Sequence, residues 1–400
     1  MRIAISGASG RIGRQLVPHL LARGIVPLLV GRDPRRLQTM FPECPSAGYK
    51  DLATSLDGVD LFVHMAAINN DSDESAASFE AVNVDLAAQV CAAAADAGVD
   101  RFVYVSSLHA LDENSASDYA RTKRLGADQV LSNPGIDVRV VYLPAIAGER
   151  FSGKLSLLNH LPRQVGRAMA YILSAFRPTL SLSKVMPLFV DPAFFTDKEN
   201  RVVLTQRQAN NLVYRGAKRA VDLGFALAIL VFFWWLLAII WIVVCTTSRG
   251  PGLFRQIRVG RGGKTFTCYK FRTMYLSTPQ AATHEISQAA VTDFGSFLRR
   301  TKLDELPQIF NIFANQMSLV GPRPCLPSQK ELILERQRRG VLDALPGITG
   351  LAQVNNIDMA DPQLLSRYDQ AYVQRQSLLL DLQIIWQTLF GAGAGDRVAV

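Results

Sequence analysis

The sequence predicts an α/β protein in two parts. An N-terminal, doubly wound parallel sheet comes first, and a membrane-associated, re-entrant helix then opens a second, mainly α-helical α/β domain. Three observations carry this. A glycine loop joins an apolar strand to a helix at the start, strands and helices alternate through the first half, and residues 223–245 are uncharged throughout. The chain has 400 residues, 49% hydrophobic and 19% charged, which gives room for two or three domains and is too apolar for a disordered chain. Only one stretch is long enough to cross a bilayer, which excludes a polytopic membrane protein. With 43 Lys and Arg against 34 Asp and Glu, the formal net charge is +9. The partner expected is therefore anionic: nucleic acid, acidic lipid or a phosphorylated substrate. Five scattered cysteines with no CxxC fit neither a disulfide framework nor a zinc site and suit a reducing compartment.

Met1–Ser6 reads as a short apolar strand running into Gly7-Ala8-Ser9-Gly10-Arg11-Ile12-Gly13, not as a signal peptide, and Gln15–Ala22 has helical apolar spacing. A glycine loop between strand and helix lets backbone N–H groups approach a pyrophosphate at the positive end of the helix, so Gly7, Gly10 and Gly13 are candidate cofactor-binding residues. The next strand, Val26–Val30, ends in Gly31-Arg32, 19 residues after Gly13. An acidic residue there would bind a ribose 2′-hydroxyl. Arg32 instead suits a 2′-phosphate, hence NADP over NAD, or else is a solvated loop charge. Strands at Leu61–His64 and Phe102–Val105, separated by the Ala-rich helix Ala87–Ala97, continue a Rossmann-type alternation. Ser106-Ser107 follows, and Tyr119 and Lys123, four apart, share a helical face. An ammonium beside a phenol lowers its pKa, making Tyr119 a general acid/base for hydride chemistry, with a serine hydroxyl to hold the substrate oxygen.

Residues 1–150 resemble the extended short-chain dehydrogenase/reductases, especially the nucleotide-sugar epimerases, dehydratases and reductases. The shared features are the glycine loop, Asp51-Leu52, His64-Met65-Ala66-Ala67, Val105-Ser106-Ser107, and Tyr119 with Lys123. The resemblance implies Tyr119 as acid/base, Lys123 also on the nicotinamide ribose, Ser107 polarising the substrate and Asp51 near the adenine. The implied cofactor is NADP(H), with NAD the alternative. There are departures. Tyr119 follows Ser107 by only 12 positions, and the family's Arg-Pro-x-x-x-Tyr-Gly segment survives only as Leu143-Pro144-Ala145-Ile146-Ala147-Gly148. The stretch from there to about residue 206 is shorter than the usual sugar-nucleotide lobe. An active oxidoreductase and a regulatory or scaffolding remnant both fit.

Residues 223–245, 23 in all, would form a helix of about 34 Å, enough for a hydrocarbon core of about 30 Å. Arg207, Arg215, Lys218 and Arg219 precede the run. Arg249, Arg255, Arg258, Arg261, Lys264, Lys270 and Arg272 follow it, and Asp222 is the one acid in the window. A spanning helix shows its basic excess on one side only. With both flanks basic, the economical solution is a helix that enters and leaves by the same face, or lies in the interface with its collar on anionic lipids. Its centre, Phe233-Trp234-Trp235-Leu236, contains no helix-breaker, and tryptophan prefers the interface to the midplane of a straight span, so a shallow or interfacial helix with both ends on the same side is expected. Charge massed against such a segment, not interleaved with exposed aromatics, argues against nucleic acid.

Further on, Leu303, Leu306, Phe310 and Phe313 recur at helical spacing and would bury one stripe, leaving Asp304, Gln308 and Asn311 on a polar face beside Glu305. Arg299, Arg300 and Lys302 stand close by and favour ionised carboxylates. That suits phosphate chemistry, in which one carboxylate attacks phosphorus, the other holds Mg²⁺ and guanidinium groups take up charge. Thr301-x-x-Asp304 also reads as a helix N-cap with an acid at N3, where both acids would merely complement the helix dipole.

Residues 212–390 resemble the bacterial sugar transferases of the small monotopic phosphoglycosyl transferase family. The motifs are Tyr269-Lys270-Phe271-Arg272-Thr273-Met274, Leu303-Asp304-Glu305-Leu306-Pro307-Gln308, Gly321-Pro322-Arg323-Pro324 and Pro346-Gly347-Ile348-Thr349-Gly350. The Ser-Pro break usual in that family's membrane segment is missing here. The resemblance implies transfer of a sugar 1-phosphate from a UDP-sugar to polyprenyl phosphate. Asp304 would be the nucleophile, Glu305 the Mg²⁺ ligand, and Lys270, Arg299 and Arg323 the phosphate contacts. The implied setting is the bacterial inner membrane, with domains 1–206 and 207–400 both facing the cytoplasm and with anionic lipids as further partners. The alternative is a membrane-tethered, NADP-dependent nucleotide-sugar oxidoreductase whose second half only anchors it. A homo-oligomer is compatible with either, and Gly391–Val400 reads as a disordered tail.

Overall fold

The computed structural model describes residues 1–69, 72–112, 115–147, 153–185, 192–195, 199–275 and 290–391. Gly148 and the expected tail from residue 392 onward lie outside the described residues. The chain divides into two compact units, Met1–Tyr171 with Pro178–Gln206, and Ile172–Arg177 with Arg207–Val400.

The first unit contains β1 (Ile3–Ser6), β2 (Leu28–Gly31), β3 (Ser46–Gly48), β4 (Leu61–His64), β5 (Arg101–Ser107), β6 (Asp137–Leu143), the short pair β7 (Ala145–Ala147) and β8 (Thr179–Ser181), and β9 (Arg201–Val203). Seven of these form one parallel sheet in the order β3-β2-β1-β4-β5-β6-β9. Successive side chains of a strand face opposite ways. Along β5, Val103 and Val105 therefore join a core with Leu16, Val17 and Leu20 of the helix Arg11–Leu21, while Phe102 and Tyr104 join a second core with Val90, Cys91 and Ala94 of the helix Leu86–Asp96. Helices on both faces of a parallel sheet make the doubly wound architecture that the alternation predicts. Strand order reverses between β1 and β4, where sheets of this class bind ligands at their carboxyl ends.

The second unit is mainly helical. Helices Leu212–Phe232 and Trp234–Thr247 lead into an antiparallel hairpin of β10 (Leu253–Val259) and β11 (Thr265–Phe271). Helices Asp293–Arg300, Ile309–Phe313, Lys330–Arg338, Pro362–Arg375 and Leu378–Leu389 follow, with β12 (Ser318–Val320) and β13 (Gly347–Thr349) paired in parallel among them. One core gathers Ala226, Phe266, Ile309, Ile312, Met317, Leu319, Tyr372 and Ile384.

Residues 223–245 do not form one straight helix, although no helix-breaker stands at their centre. The two helices are bent by 70° at their junction, and among the described residues no single helix is long and apolar enough to cross a membrane. No proline makes the bend; packing does. Ala226, Ile229 and Leu230 belong to the core just described, whereas Leu236, Ile240 and Val244 pack with Phe271 and Leu298. Trp235 bridges the break by donating its indole N–H to the Phe232 carbonyl at 3.0 Å, satisfying an acceptor that a helix end leaves open.

The basic collar is also partly engaged inside the protein. Lys218 pairs with Asp381 at 2.9 Å, and Arg219 donates to the Ile312 carbonyl. Arg272, 5% exposed, closes the end of the helix Trp234–Thr247 through the Ser248 carbonyl and hydroxyl. A carboxylate holds Lys218, and carbonyls at helix ends, which favour cations, hold Arg219 and Arg272. These three residues are therefore not part of a lipid-facing collar.

Candidate active site

The chain around Asp304 is shaped by a helix end. The helix Asp293–Arg300 stops at Thr301, whose hydroxyl donates back to the Phe297 carbonyl at 2.8 Å, and Lys302 adopts a left-handed backbone with φ 59°. Thr301 thus closes the preceding helix and is not the N-cap of the next. Leu303–Gln308 follows as a 3-10 turn. With three residues per turn, the stripe expected at 3.6-residue spacing falls out of phase: Ile309 and Ile312 are buried, and Phe310 and Phe313 are exposed. Asn311 does not line a polar face either. It is wholly buried, accepting from the Tyr269 amide and donating to the Thr267 carbonyl and to Gln316.

Asp304 is 7% exposed. At its neighbour Glu305, Lys270 of β11 donates to Oε1 at 2.8 Å, and Arg323, just beyond β12, donates to the same oxygen at 3.0 Å. Lys270, Glu305 and Arg323 line a pocket together with Arg258, Cys268 and Gln308. Arg299 is held by its Nε on the Thr273 hydroxyl at 3.0 Å. Burial pushes the Asp304 carboxyl up to about 6, and Glu305 adds to the rise, while Lys270, Arg299 and Arg323 oppose it. Arg258 was visible in the sequence only as part of the supposed lipid collar, yet it forms one wall of this pocket.

Among the described residues no group of three or more His, Cys, Asp or Glu side chains is placed to hold a metal ion. Mg²⁺ takes most of its ligands from water and phosphate oxygens and needs only one or two protein carboxylates. Glu305, on the pocket wall, fits that donor set.

In the first unit the glycine loop lies between β1 and the helix Arg11–Leu21. Gly7 has φ +80°, and a Cβ there would sit 2.6 Å from the Ala66 nitrogen. Gly10 caps the helix without any side-chain bond, and the first turn carries no acid. That helix end turns its positive pole toward the loop, which fits a dinucleotide pyrophosphate. Gly13 allows the helix to close on Ala8, where a Cβ would lie 2.4 Å from Cα. Arg32 is exposed just past β2, and Asp51 is exposed at the end of the 3-10 turn Tyr49–Asp51.

Ser107 ends β5, its hydroxyl accepting from the His109 amide at 3.3 Å. Tyr119, on the helix Asp118–Leu131, meets the His109 ring edge-on at 6.4 Å between centroids. Lys123, 2% exposed, turns its ammonium to the Tyr104 hydroxyl at 3.2 Å and the Val105 carbonyl at 2.8 Å. The phenol hydrogen-bonded to this ammonium is thus that of Tyr104, on β5. Burial pulls the Lys123 ammonium down to about 7.

Residues 213–393 match the family model for bacterial sugar transferases, and residues 7–169 match that for NAD(P)H-binding domains. The chain therefore joins an NAD(P)H-binding domain to a bacterial sugar transferase domain. It is 32% identical over 300 residues to a UDP-glucose:undecaprenyl-phosphate glucose-1-phosphate transferase of Klebsiella pneumoniae, covering 64% of this chain and 62% of that one. To the transferase of the same name from Xanthomonas campestris pv. campestris it is 42% identical over 183 residues, covering 42% and 37%. The chain thus spans less than two-thirds of the length of these curated relatives. A solved structure, UDP-N-acetylglucosamine 4-epimerase from Bacillus cereus, is 16% identical with a TM-score of 0.40, covering 56% of this chain and 85% of that one. That likeness is too loose to bear on function.

Proposed function

We propose that the second unit transfers a sugar 1-phosphate from a UDP-sugar to polyprenyl (undecaprenyl) phosphate, a step that initiates a surface glycan. The observation that carries this reading is the pair of cations on one Glu305 oxygen beside a buried, perturbed Asp304, within the segment that matches bacterial sugar transferases. The transferases of Klebsiella pneumoniae and Xanthomonas campestris support the substrate class.

In this mechanism the ionised Asp304 attacks the β-phosphorus of the UDP-sugar. An Asp304–phosphorus bond forms, and UMP leaves with the electron pair of the broken P–O bond. An oxygen of polyprenyl phosphate then attacks the same phosphorus, the aspartyl bond breaks, and Asp304 is regenerated as the polyprenyl-diphosphate-linked sugar departs. Two displacements through a covalent intermediate give ping-pong kinetics. Lys270, Arg299 and Arg323 stabilise charge developing on the phosphate oxygens. Glu305 holds Lys270 and Arg323 in place and is the residue that would bind Mg²⁺, which supplies further neutralisation of the diphosphate. Purified full-length protein given a panel of UDP-sugars, Mg²⁺ and undecaprenyl phosphate should release UMP, and Asp304→Asn should abolish the release. Continued release by that variant would remove Asp304 as nucleophile.

The bend, with Phe232, Trp234 and Trp235 exposed around it, supports a monotopic, re-entrant seat in the bacterial inner membrane. The exposed Arg249, Arg255, Arg261 and Lys264 supply charge for anionic lipids. Both units would then face the cytoplasm, where UDP-sugars and NADP reside.

For the first unit we infer NADP(H) binding at Gly7, Gly10 and Gly13, with Asp51 near the adenine and Arg32 on the 2′-phosphate, serving to modify or sense the nucleotide sugar. The engagement of Lys123 by Tyr104 and Val105 supports sensing. The competing reading is an oxidoreductase that uses Ser107, Tyr119 and Lys123 and is merely anchored by the second unit. A nucleotide-sugar-dependent change in nicotinamide absorbance, untouched by Asp304→Asn, would favour it.

A further inference from the structure

Arg323 reaches Glu305 from the loop Gly321-Pro322-Arg323-Pro324, which leaves β12. Prolines at 322 and 324 fix φ but carry no N–H, so those positions cannot donate to brace the loop. Its carbonyls are gripped from outside instead. The Pro322 carbonyl accepts from the Gly347 amide at 2.9 Å, the Pro324 carbonyl from Arg258 Nη1 at 2.9 Å, and the Arg323 carbonyl from Arg336 Nη1 at 2.8 Å.

Arg336 differs from Arg258 in standing off the pocket wall. It lies in the helix Lys330–Arg338 at 2% exposure, and its Nε and Nη2 both donate to Asp369 Oδ2, at 2.9 and 2.7 Å. Asp369, on the helix Pro362–Arg375, is also 2% exposed. Stability is a weak reason to bury such a pair, because apolar residues of similar volume commonly hold a fold as well or better. Apolar residues could not extend a third guanidinium donor to the main chain of the residue whose side chain meets Glu305. The two charges also cancel, so the pair can act on the pocket through the placement of Arg323 and not through a net field.

We propose that Arg336 and Asp369 are a positioning pair that sets where the Arg323 guanidinium meets the substrate diphosphate. This rests on the transferase reading above. The test uses full-length protein in nanodiscs, with UMP release from a UDP-sugar and undecaprenyl phosphate as the readout. Arg336→Met combined with Asp369→Leu should leave the melting temperature near that of the wild type, while kcat/KM for the UDP-sugar falls by about tenfold or more, as expected for a misplaced charge-bearing group. Placed in an Arg323→Lys background, the same pair of changes should cost less than about twofold further, because coupled residues are not additive. Unchanged kcat/KM in the folded double variant overturns the proposal, and so does a full, additive loss in the Arg323→Lys background. If the double variant does not fold, Arg336→Lys, which can still pair with Asp369 but lacks the planar fork, is held to the same criteria. A wild type that releases no UMP from any UDP-sugar overturns the transferase reading and this role with it. An active wild type with an indifferent variant overturns the positioning role alone.

Discussion

The proton on Asp304 sets a pH window for the proposed reaction. Burial raises this carboxyl to about 6, and Lys270 restrains the rise. A nucleophile must be ionised, so activity is present above that value and lost as pH falls through it. kcat/KM for the UDP-sugar should drop about tenfold per pH unit below the limb. Lys270→Met removes a cation that opposes the rise, so the limb should move to higher pH while the maximal rate falls. A pH–rate profile of UMP release checks both, and a wild-type limb at the ordinary carboxylate value of about 4 would contradict the burial argument. Asp304 and Glu305 stand out in the sequence because adjacent acids beside Arg299, Arg300 and Lys302 make an unusual local charge pattern. That Lys270 and Arg323 share one oxygen of Glu305 is not legible there, since 35 and 18 positions of chain separate them from it and only tertiary packing closes the gap. Lys123 teaches the same lesson in reverse. Helical spacing sets it beside Tyr119, but Tyr104, from a strand the helix covers, takes its ammonium.

A segment that enters and leaves by one face is expected from the two basic flanks of the apolar run, but the place of its bend is concealed in the residues. A helix reader looks for proline or glycine at a break, and the bend between Phe232 and Trp234 has neither. Its cause lies in the separate cores that receive Ala226 and Ile240. Because the Trp235 indole satisfies the Phe232 carbonyl, Trp235→Phe leaves that acceptor without its donor, and the melting temperature in detergent should fall by the equivalent of about 1 kcal/mol. An unchanged melting temperature would mean the bend is held by packing alone. The glycine loop, by contrast, was fully readable, since strand, loop and helix are contiguous and each is recognised by local pattern. The turn at Leu303–Gln308 fell between these cases. Its adjacent acids stand out in the sequence, but a 3.6-residue period buries Phe310 and Phe313, which the structure leaves exposed because a 3-10 turn shifts the phase.

At the scale of the whole molecule, the two proposed activities fall on two units with separate cores and can be probed one at a time. Arg32 stands exposed past β2, where a 2′-phosphate would lie. Arg32→Ser in the full-length chain should weaken NADPH binding by about tenfold while leaving NADH binding within about twofold, since a charge-assisted hydrogen bond is roughly twice as strong as a neutral one. Titration of nicotinamide fluorescence reads this directly, and equal loss for both cofactors would mean that Arg32 does not discriminate between them. The order of the motifs along the sequence sets the glycine loop ahead of the apolar run and the acidic pair behind it, whereas the contacts that tie Lys218, Arg219 and Arg272 inward are not legible there, because a charge run looks the same whether it faces lipid or carbonyls. Phe232, Phe233, Trp234 and Trp235 crowd together at the bend, each of them exposed. In plain buffer such a surface sticks to its own kind, so particle sizes measured without amphiphile should climb with concentration and report stickiness instead of stoichiometry; subunits are best counted inside a micelle or nanodisc.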